Sequence, residues 1–211
     1  MTAITNQIRR YVLDRTSVLM IPALVDPELL KSAPVGEREI QDRRVMVVVG
    51  GGSIGDRGLA SGSMQIVDAV VRCADRMPQY TFYVLPGIGL DQTEQSWPVN
   101  MREVIGSEGI LRWMMACPVL IGRAGRSTVA EALALRKRSV LIPVIGANLW
   151  RAAEQQHNAE VARSLSPAVV VLEPDRLDEL ERSMTLVTDS NPVSWTAGND
   201  YLLELLSTHM C

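Results

Sequence analysis

Two apolar runs in this sequence are each followed directly by a glycine-containing turn and then by a helical pattern. Val45–Val49 leads into Gly50–Gly55 and the helical pattern Leu59–Arg76, and Cys117–Ile121 leads into the turn Gly122–Gly125. Continuous apolar runs of this length are typical of strands that are buried on both faces. A strand, a tight turn and a helix in succession form the repeating unit of a parallel sheet. These two units therefore restrict the chain to an α/β fold.

The same alternation of apolar runs and helical patterns continues along the chain. Further strands are predicted at Tyr80–Leu85, Val104-Ile105, Ser139–Ile142 and Val169–Leu172, and further helices at Ile110–Met115, Thr128–Leu135, Leu149–Leu165, Leu177–Val187 and Asp200–Leu206. Parallel strands that are joined by helices form a sheet covered on both faces. We therefore predict a Rossmann-like, doubly wound parallel sheet of about six strands.

The first 42 residues differ in character from the rest of the chain. Lys31–Asp42 is polar and contains Pro34 and Gly36, which is typical of a linker. We therefore divide the chain into an N-terminal segment with a linker, residues 1–42, and one Rossmann-like domain, residues 43–211.

Composition and charge exclude several classes of protein. The net charge of −3 argues against a nucleic-acid surface. The cysteines Cys73, Cys117 and Cys211 are scattered without C-x-x-C spacing, which fits reduced thiols better than disulfides or zinc. The sequence has no apolar run of the roughly 18 residues that a membrane span needs and no signal-peptide pattern. We expect a cytoplasmic protein that could still rest on a membrane surface.

The turn Gly122–Gly125 and the helical pattern after it carry residues suited to a nucleotide. A helix N-terminus binds anions because its first N–H groups lack helical partners, and Ser127 and Thr128 stand there. Arg123 precedes them and offers a guanidinium fork that suits a phosphate. Glu131 lies three residues past Thr128, about one turn further along the same face. A carboxylate at that position could accept two hydrogen bonds from a ribose diol while the phosphates occupy the helix end.

These residues resemble the C-terminal, donor-binding half of the GT-B glycosyltransferases, in the group that contains the UDP-N-acetylglucosamine transferase of peptidoglycan synthesis. The resemblance runs from about Val18 to about Val187. The matching positions are Gly51-Gly52-Ser53-Ile54-Gly55, Arg123, Gly125, Thr128, Glu131, Pro143, Gln155, Asn158 and Ala159. Two departures are Ala153-Glu154, where the family often has Asp-His or Asp-Arg, and Pro118, where many members carry Asp.

The resemblance implies a site for a UDP-sugar, commonly UDP-N-acetylglucosamine. Glu131 would bind the ribose, Gln155 the sugar hydroxyls, and Arg123 with the helix N-terminus the pyrophosphate. The full set of predicted binding residues is Gly52, Ser53, Gly55, Ile105, Arg123, Gly125, Ser127, Thr128, Glu131, Gln155 and Gln156. No metal or other cofactor is expected, since a helix N-terminus and an arginine can stabilise the leaving pyrophosphate.

The resemblance covers only one half of a GT-B enzyme. In the family, the base that activates the acceptor comes from the N-terminal half, so the catalytic base is unknown here. In one eukaryotic relative the two halves are separate chains that associate at the membrane. We therefore expect the second half to be either a separate acceptor-binding chain or a missing N-terminal domain. The segment Met1–Asp42 before the first strand fits a truncated longer enzyme slightly better than a separate subunit. We expect the chain alone to bind the donor without transferring the sugar, and Trp150 to be part of a docking surface.

Several of these residues have other interpretations. Gly50–Gly55 also fits the dinucleotide fingerprint G-x-G-x-x-G or a purely structural turn, but no acidic residue follows the second strand to bind a ribose. Ser127 and Thr128 could simply cap the helix. His157 does not match a catalytic position of the family, so a solvated or capping histidine is favoured over a general base. The run Arg136-Lys137-Arg138 is interpreted as the polar end of a helix that could also meet anionic lipids.

Two other classes of function remain open at this point. A hydrolase or epimerase of GT-B type would still use Glu131, and product analysis with UDP-N-acetylglucosamine separates it from a transferase. A non-enzymatic interaction domain that keeps the fold would show no binding of UDP in calorimetry.

Overall fold

The structure, a computed structural model, describes residues 43–50, 57–85, 97–104, 110–144 and 149–192. The strands are β1 Arg44–Val48, β2 Thr81–Leu85, β3 Met101–Glu103, β4 Val119–Arg123, β5 Arg138–Ile142 and β6 Val169–Val171. The helices are α1 Arg57–Arg76, α2 Ile110–Ala116, α3 Arg126–Ala134, α4 Leu149–Leu165, a 3-10 helix Pro174–Glu179 and α5 Leu180–Thr188.

The strands form one parallel sheet in the order β3-β2-β1-β4-β5-β6. The predicted doubly wound α/β sheet of about six strands is thus confirmed. The order of the strands reverses between β1 and β4, where Val48 pairs with Leu85 on one side and with Gly122 on the other. In open α/β sheets, ligands bind at the carboxyl ends of the strands beside such a reversal. Gly50, two residues after the end of β1, and Arg123, the last residue of β4, both lie at this edge of the sheet.

The core consists of two apolar layers, one on each face of the sheet. Alternate residues of a strand point to opposite faces, so that Val45 and Val47 pack with α1 and α5, while Met46 and Val48 pack with α2, α3 and α4. Nearly every residue of β1, β4 and β5 is buried, which is why these strands appear in the sequence as continuous apolar runs.

Some boundaries differ from the predicted ones. The third strand is Met101–Glu103 and not Val104-Ile105, because β3 is an edge strand that tolerates the exposed Arg102. The helix predicted at Leu177–Val187 begins as the 3-10 helix with non-helical backbone angles at Arg176. The predicted helix Leu149–Leu165 has the same bounds in the structure.

Part of what was predicted lies outside the described residues. This applies to the N-terminal segment 1–42, to the helix Asp200–Leu206 and to the site residues Gly52, Ser53, Gly55 and Ile105. The division at residue 42 therefore stays a prediction. Among the helices that the structure describes, none is long and apolar enough to cross a lipid bilayer.

Candidate functional site

The guanidinium of Arg123 lies buried between the ends of β1 and β4. Arg123 is the last residue of β4 and is 8 % exposed. Its Nη1 donates a hydrogen bond to Ser63 Oγ at 3.3 Å, and Ser63 Oγ donates to the backbone oxygen of Val49 at 3.1 Å. The side chain is thus directed towards β1 and α1. The contact of Arg123 with a phosphate stays a prediction. The structure shows in addition that its guanidinium has a buried hydrogen-bond partner, Ser63.

Two glycines allow the ends of these strands to approach so closely. Gly50 has a φ of +80°, which side chains disfavour, and a Cβ there would collide with Arg123 Nη2. A Cβ at Gly122 would lie 2.9 Å from the backbone oxygen of Val48 and 3.2 Å from Thr128 Cγ2. Glycine is therefore required at both positions by the packing of β1, β4 and α3.

The N-terminus of α3 follows this cluster directly and has no side-chain cap. Gly125 occupies the N-cap position with an extended backbone, and α3 begins at Arg126. Ser127 is exposed and Thr128 half-buried, as second and third residues of the helix. A capping side chain belongs to the residue before the helix, so neither of them is the N-cap. The first turn also contains no acidic residue. Its N–H groups and the helix dipole therefore favour an anion.

Glu131 lies one turn further along α3 and is half-buried. The residues on both sides of it, Val129, Ala130, Ala132 and Leu133, are buried in the core. A carboxylate on an otherwise buried helix is costly unless it has polar partners. The predicted contact of the Glu131 carboxylate with a ribose stays a prediction.

Helix α4 contributes two buried amide side chains to this edge. Gln155 Oε1 accepts a hydrogen bond from the backbone N–H of Val144 at 3.0 Å, just after the end of β5. Asn158 Nδ2 donates to the backbone oxygen of Ala124 at 3.2 Å. Asn158 thereby holds the turn between Arg123 and α3. Sequence reasoning aligned this asparagine with the family pattern but did not foresee its contact with that turn.

Gln156 points in another direction than Gln155. Neighbouring residues of a helix project about 100° apart, and Gln156 Nε2 donates to Glu160 Oε1 at 3.1 Å and to Glu173 Oε1 at 3.3 Å. Glu173 follows β6, at the far side of the sheet from β1. The structure therefore does not bring Gln156 together with Gln155.

The interpretation of Arg136-Lys137-Arg138 as the polar end of a helix is wrong for two of the three residues. Helix α3 ends at Ala134, Arg136 is exposed, and Arg138 already belongs to β5. Lys137 is 2 % exposed and its Nζ donates to the backbone oxygen of Met115 at 2.9 Å. Arg138 Nε donates to the backbone oxygen of Ser190 at 2.9 Å. Because Lys137 and Arg138 are used inside the fold, they do not form a surface for anionic lipids.

A cavity of about 210 Å³ lies between the first half of α1, the end of β5 and the 3-10 helix. Its lining includes Ser61, Gln65, Ile142 and Leu177, and contains none of the predicted site residues that lie within the described part of the chain. Ligand pockets for drug-sized molecules usually measure about 300–1,000 Å³. This cavity is therefore too small to be the nucleotide site.

A match to a family model identifies the family of this chain. Residues 46–194, well over half of the chain, match the model of the glycosyltransferase family 28 C-terminal domain. The chain belongs to glycosyltransferase family 28. The region that matches contains every strand after the first residues of β1 and all described helices. The resemblance inferred from Arg123, Glu131 and Gln155 is thus confirmed at the level of the family.

Curated relatives of this family 28 domain are longer proteins. A UDP-N-acetylglucosamine–N-acetylmuramyl-(pentapeptide) pyrophosphoryl-undecaprenol N-acetylglucosamine transferase of Clostridium perfringens is 28 % identical over 141 residues, which are 66 % of this chain and 37 % of the relative. A second Clostridium perfringens strain has a transferase of the same name with the same identity. The chain thus spans little more than a third of the length of these relatives.

Solved structures show the same fold at lower identity. MurG of Acinetobacter baumannii superposes with a TM-score of 0.55 at 15 % identity, over 92 % of this chain and 57 % of that chain. The calicheamicin glycosyltransferase CalG4 superposes with a TM-score of 0.53 at 18 % identity, over 80 % of this chain and 38 % of that chain. These similarities establish the fold of the family 28 domain as that of one part of larger glycosyltransferases.

Sequence reasoning missed one residue of the site in this family 28 domain, Ser63. Ser63 is 1 % exposed and lies on the stripe of α1 that buries Ile66, Val67 and Val70. A hydroxyl on an apolar stripe, at the i, i+3, i+4, i+7 spacing of a helix, is the signal that could have identified it.

Among the described residues, no three His, Cys, Asp or Glu side chains lie close enough to hold a metal ion. The expectation of a site without metal stays a prediction, because the loop residues 51–56 and 105–109 lie outside what is described.

Proposed function

We propose that the chain is the donor-binding half of a glycosyltransferase. It binds a UDP-sugar, for which UDP-N-acetylglucosamine is the favoured candidate, at the carboxyl ends of β1 and β4. The observation that supports this most is the N-terminus of α3, which has no side-chain cap and lies at the strand reversal with Glu131 one turn further on. The relatives from Clostridium perfringens are named as N-acetylglucosamine transferases, which favours this sugar.

The pyrophosphate is proposed to lie against the first turn of α3. The backbone N–H groups there and the hydroxyls of Ser127 and Thr128 supply the donors, with the close approach permitted by Gly125. The buried guanidinium of Arg123 adds a positive charge at the same edge. Such fixed positive groups stabilise the negative charge that develops when the nucleotide leaves the sugar.

The ribose and the sugar are proposed to lie on either side of the pyrophosphate. Glu131 accepts hydrogen bonds from the ribose diol. Because Gln155 Oε1 already accepts from Val144, its Nε2 is the group proposed for a sugar hydroxyl. Gly52, Ser53, Gly55 and Ile105 are proposed to complete the site. Gln156, whose amide bonds Glu160 and Glu173, remains a weaker candidate.

The acceptor and the base that activates it are proposed to come from a partner chain or an N-terminal domain. A lipid-linked acceptor is proposed because the names of the relatives contain pyrophosphoryl-undecaprenol, and the chain is proposed to meet this acceptor at the cytoplasmic face of a membrane. Closing a cleft between two domains excludes water and brings the acceptor to the sugar. A complete reaction thus requires the second half, whereas donor binding does not.

Calorimetry and thermal melting with UDP, uridine and NADH test this proposal. UDP is expected to bind and to raise the melting temperature by mass action, whereas NADH is expected to have no effect. Glu131→Ala should weaken UDP and uridine alike, since it removes a ribose contact. Arg123→Ala should weaken the binding of UDP by about 1.5–3 kcal/mol and that of uridine much less, since it removes a charge near the phosphates. The exposed Asp75, on the last turn of α1, provides the control variant Asp75→Ala.

Equal melting shifts with NADH and with UDP would contradict the proposed ligand. Equal losses of uridine affinity in Glu131→Ala and Arg123→Ala would contradict the separate roles of these two residues. If no nucleotide binds, a non-enzymatic domain is favoured.

A further inference from the structure

We propose that Ser63 is a positioning residue for the donor site and acts through Arg123. This inference rests on the proposed function, since it assigns the guanidinium of Arg123 a place that serves the pyrophosphate of a bound nucleotide. Ser63 belongs to α1 and is buried, so its effect on a bound nucleotide is proposed to run through Arg123.

The hydroxyl of Ser63 both accepts and donates a hydrogen bond. It accepts a hydrogen bond from Arg123 Nη1 at 3.3 Å and donates one to the backbone oxygen of Val49 at 3.1 Å. Ser63 is 1 % exposed, and a buried hydroxyl is costly unless it is hydrogen-bonded. An alanine at this position of α1 would avoid that cost and would suit the apolar stripe. The structure therefore gives the hydroxyl a specific partner rather than a packing role alone.

Arg123 in turn contacts three parts of the site. It ends β4 immediately before the Ala124-Gly125 turn into α3, its Nη1 bonds Ser63 on α1, and its Nη2 packs against Gly50 after β1. A long arginine side chain has many rotamers, and fixing one of them costs conformational entropy. The Ser63 hydroxyl selects the rotamer that lies between the ends of β1 and β4. Without it, the positive charge is less well fixed at the place where the pyrophosphate is proposed to bind.

The test is a double-mutant cycle on nucleotide affinity. Calorimetry of the 211-residue chain with UDP and with uridine compares the unchanged protein, Ser63→Ala, Arg123→Met and the double variant. Ser63→Ala is expected to weaken UDP about fivefold, which corresponds to one hydrogen bond of about 1 kcal/mol. It is expected to leave uridine affinity within about twofold, since uridine carries no phosphate. In the Arg123→Met background, Ser63→Ala should weaken UDP no further, because two residues that act as a unit are not additive.

A buried serine on another helix provides the matched control. Ser183 of α5 is 5 % exposed and lies outside the site. Ser183→Ala should change the melting temperature without changing the affinity for UDP, so that a purely structural effect is visible. Ser63→Cys, which keeps the side-chain volume with a weaker hydrogen-bonding group, should give an intermediate loss and serves if Ser63→Ala folds poorly.

Three results would overturn the inference. The first is an unchanged affinity for UDP in Ser63→Ala while Glu131→Ala still lowers that affinity. In that case the inference fails and the proposed function stands. The second is an equal loss for uridine and UDP, which indicates general destabilisation. The third is the same fold-loss in both Arg123 backgrounds, which shows that Ser63 acts independently of Arg123. If the unchanged protein does not bind UDP, the proposed function fails and this inference fails with it.

Discussion

The amino and carboxyl edges of the sheet both bury basic side chains, but they give them different partners. At the amino edge, Lys137 and Arg138 donate to the backbone oxygens of Met115 and Ser190, each at 2.9 Å. At the carboxyl edge, Arg123 donates to the neutral hydroxyl of Ser63 and packs against Gly50. Burial of a cation is common to both edges and therefore does not identify a ligand site.

The helix dipoles explain the difference. Met115 belongs to the last turn of α2, where unpaired carbonyls carry partial negative charge, so that Lys137 completes a local pairing. Arg123 instead stands before the N-terminus of α3, where the partial charge is positive. Arg123 thus places its charge beside the positive end of this helix dipole, at the edge where the pyrophosphate is proposed to bind. The comparison suggests that a buried basic residue at a helix N-terminus indicates binding, whereas one at a helix C-terminus indicates structure.

The largest effect on stability is expected at the carboxyl edge, for Gly50→Ala. The change forces a side chain into a positive φ, at about 1–2 kcal/mol, and overpacks the guanidinium of Arg123, at about 1–3 kcal/mol. We expect the free energy of unfolding in urea to fall by about 3 kcal/mol. Gly125→Ala is the control, because its Cβ would meet nothing within 4 Å, and it should cost less than about 1 kcal/mol. A loss for Gly50→Ala of no more than the roughly 1–2 kcal/mol of the positive φ would show that Arg123 is not held against Gly50.

A smaller loss of stability is expected at the amino edge, for Lys137→Met. The variant keeps the apolar stem and removes the hydrogen bond from Nζ to the half-buried backbone oxygen of Met115, which costs about 1–2 kcal/mol of unfolding free energy. The affinity for UDP should stay within about twofold of the unchanged protein, in contrast to Arg123→Ala. The exposed neighbour Arg136 provides the control Arg136→Ala, which should change stability by less than about 0.5 kcal/mol. A loss of UDP affinity in Lys137→Met would remove the distinction between the two edges.

The smallest effect at neutral pH is expected for the thiol of Cys73, which lies in the second half of α1, and it concerns the reactivity of that thiol. Burial raises the pKa of its thiol from 9.0 to about 12, with a smaller lowering by the charge of Arg76 and a smaller raising by Glu181. The thiolate is the reactive form, so iodoacetamide at pH 8 should leave Cys73 unmodified in the folded chain and modify it after denaturation. Peptide mass spectrometry measures both. Rapid labelling of the folded chain would show that this part of the core opens.

The same pKa sets the direction of a dependence on pH. Between pH 9 and about 12, the folded state keeps the proton of Cys73 while the unfolded state releases it. The folded state then binds more protons, so this group's contribution to stability is complete below pH 9 and is lost as the pH rises towards 12. Replacing Cys73 by alanine should remove this part of the decline in melting temperature.

Local patterns in the sequence were enough to predict the fold class and the position of most elements. Continuous apolar runs such as Val45–Val49 and the long pattern Leu149–Leu165 depend on local periodicity and burial, and local periodicity is visible in one sequence. The glycine turns after β1 and β4, with Arg123 and Glu131, likewise indicated the family. The short edge strand β3 was placed a few residues too late, because a strand at the edge needs no continuous apolar run.

The directions of the polar side chains at this edge could not be predicted, because they depend on contacts between distant parts of the chain. Ser63 and Arg123 are 60 positions apart in the chain and meet because β1 and β4 are neighbours in the sheet. Asn158 reaches Ala124, 34 positions away, because α4 packs on the same face as α3. Lys137 and Arg138 appeared as a charged run and are buried, since the packing of α2 and the chain after α5 brings carbonyls to them. Such contacts depend on strand order and helix packing, and neither leaves a mark on the local pattern of a sequence.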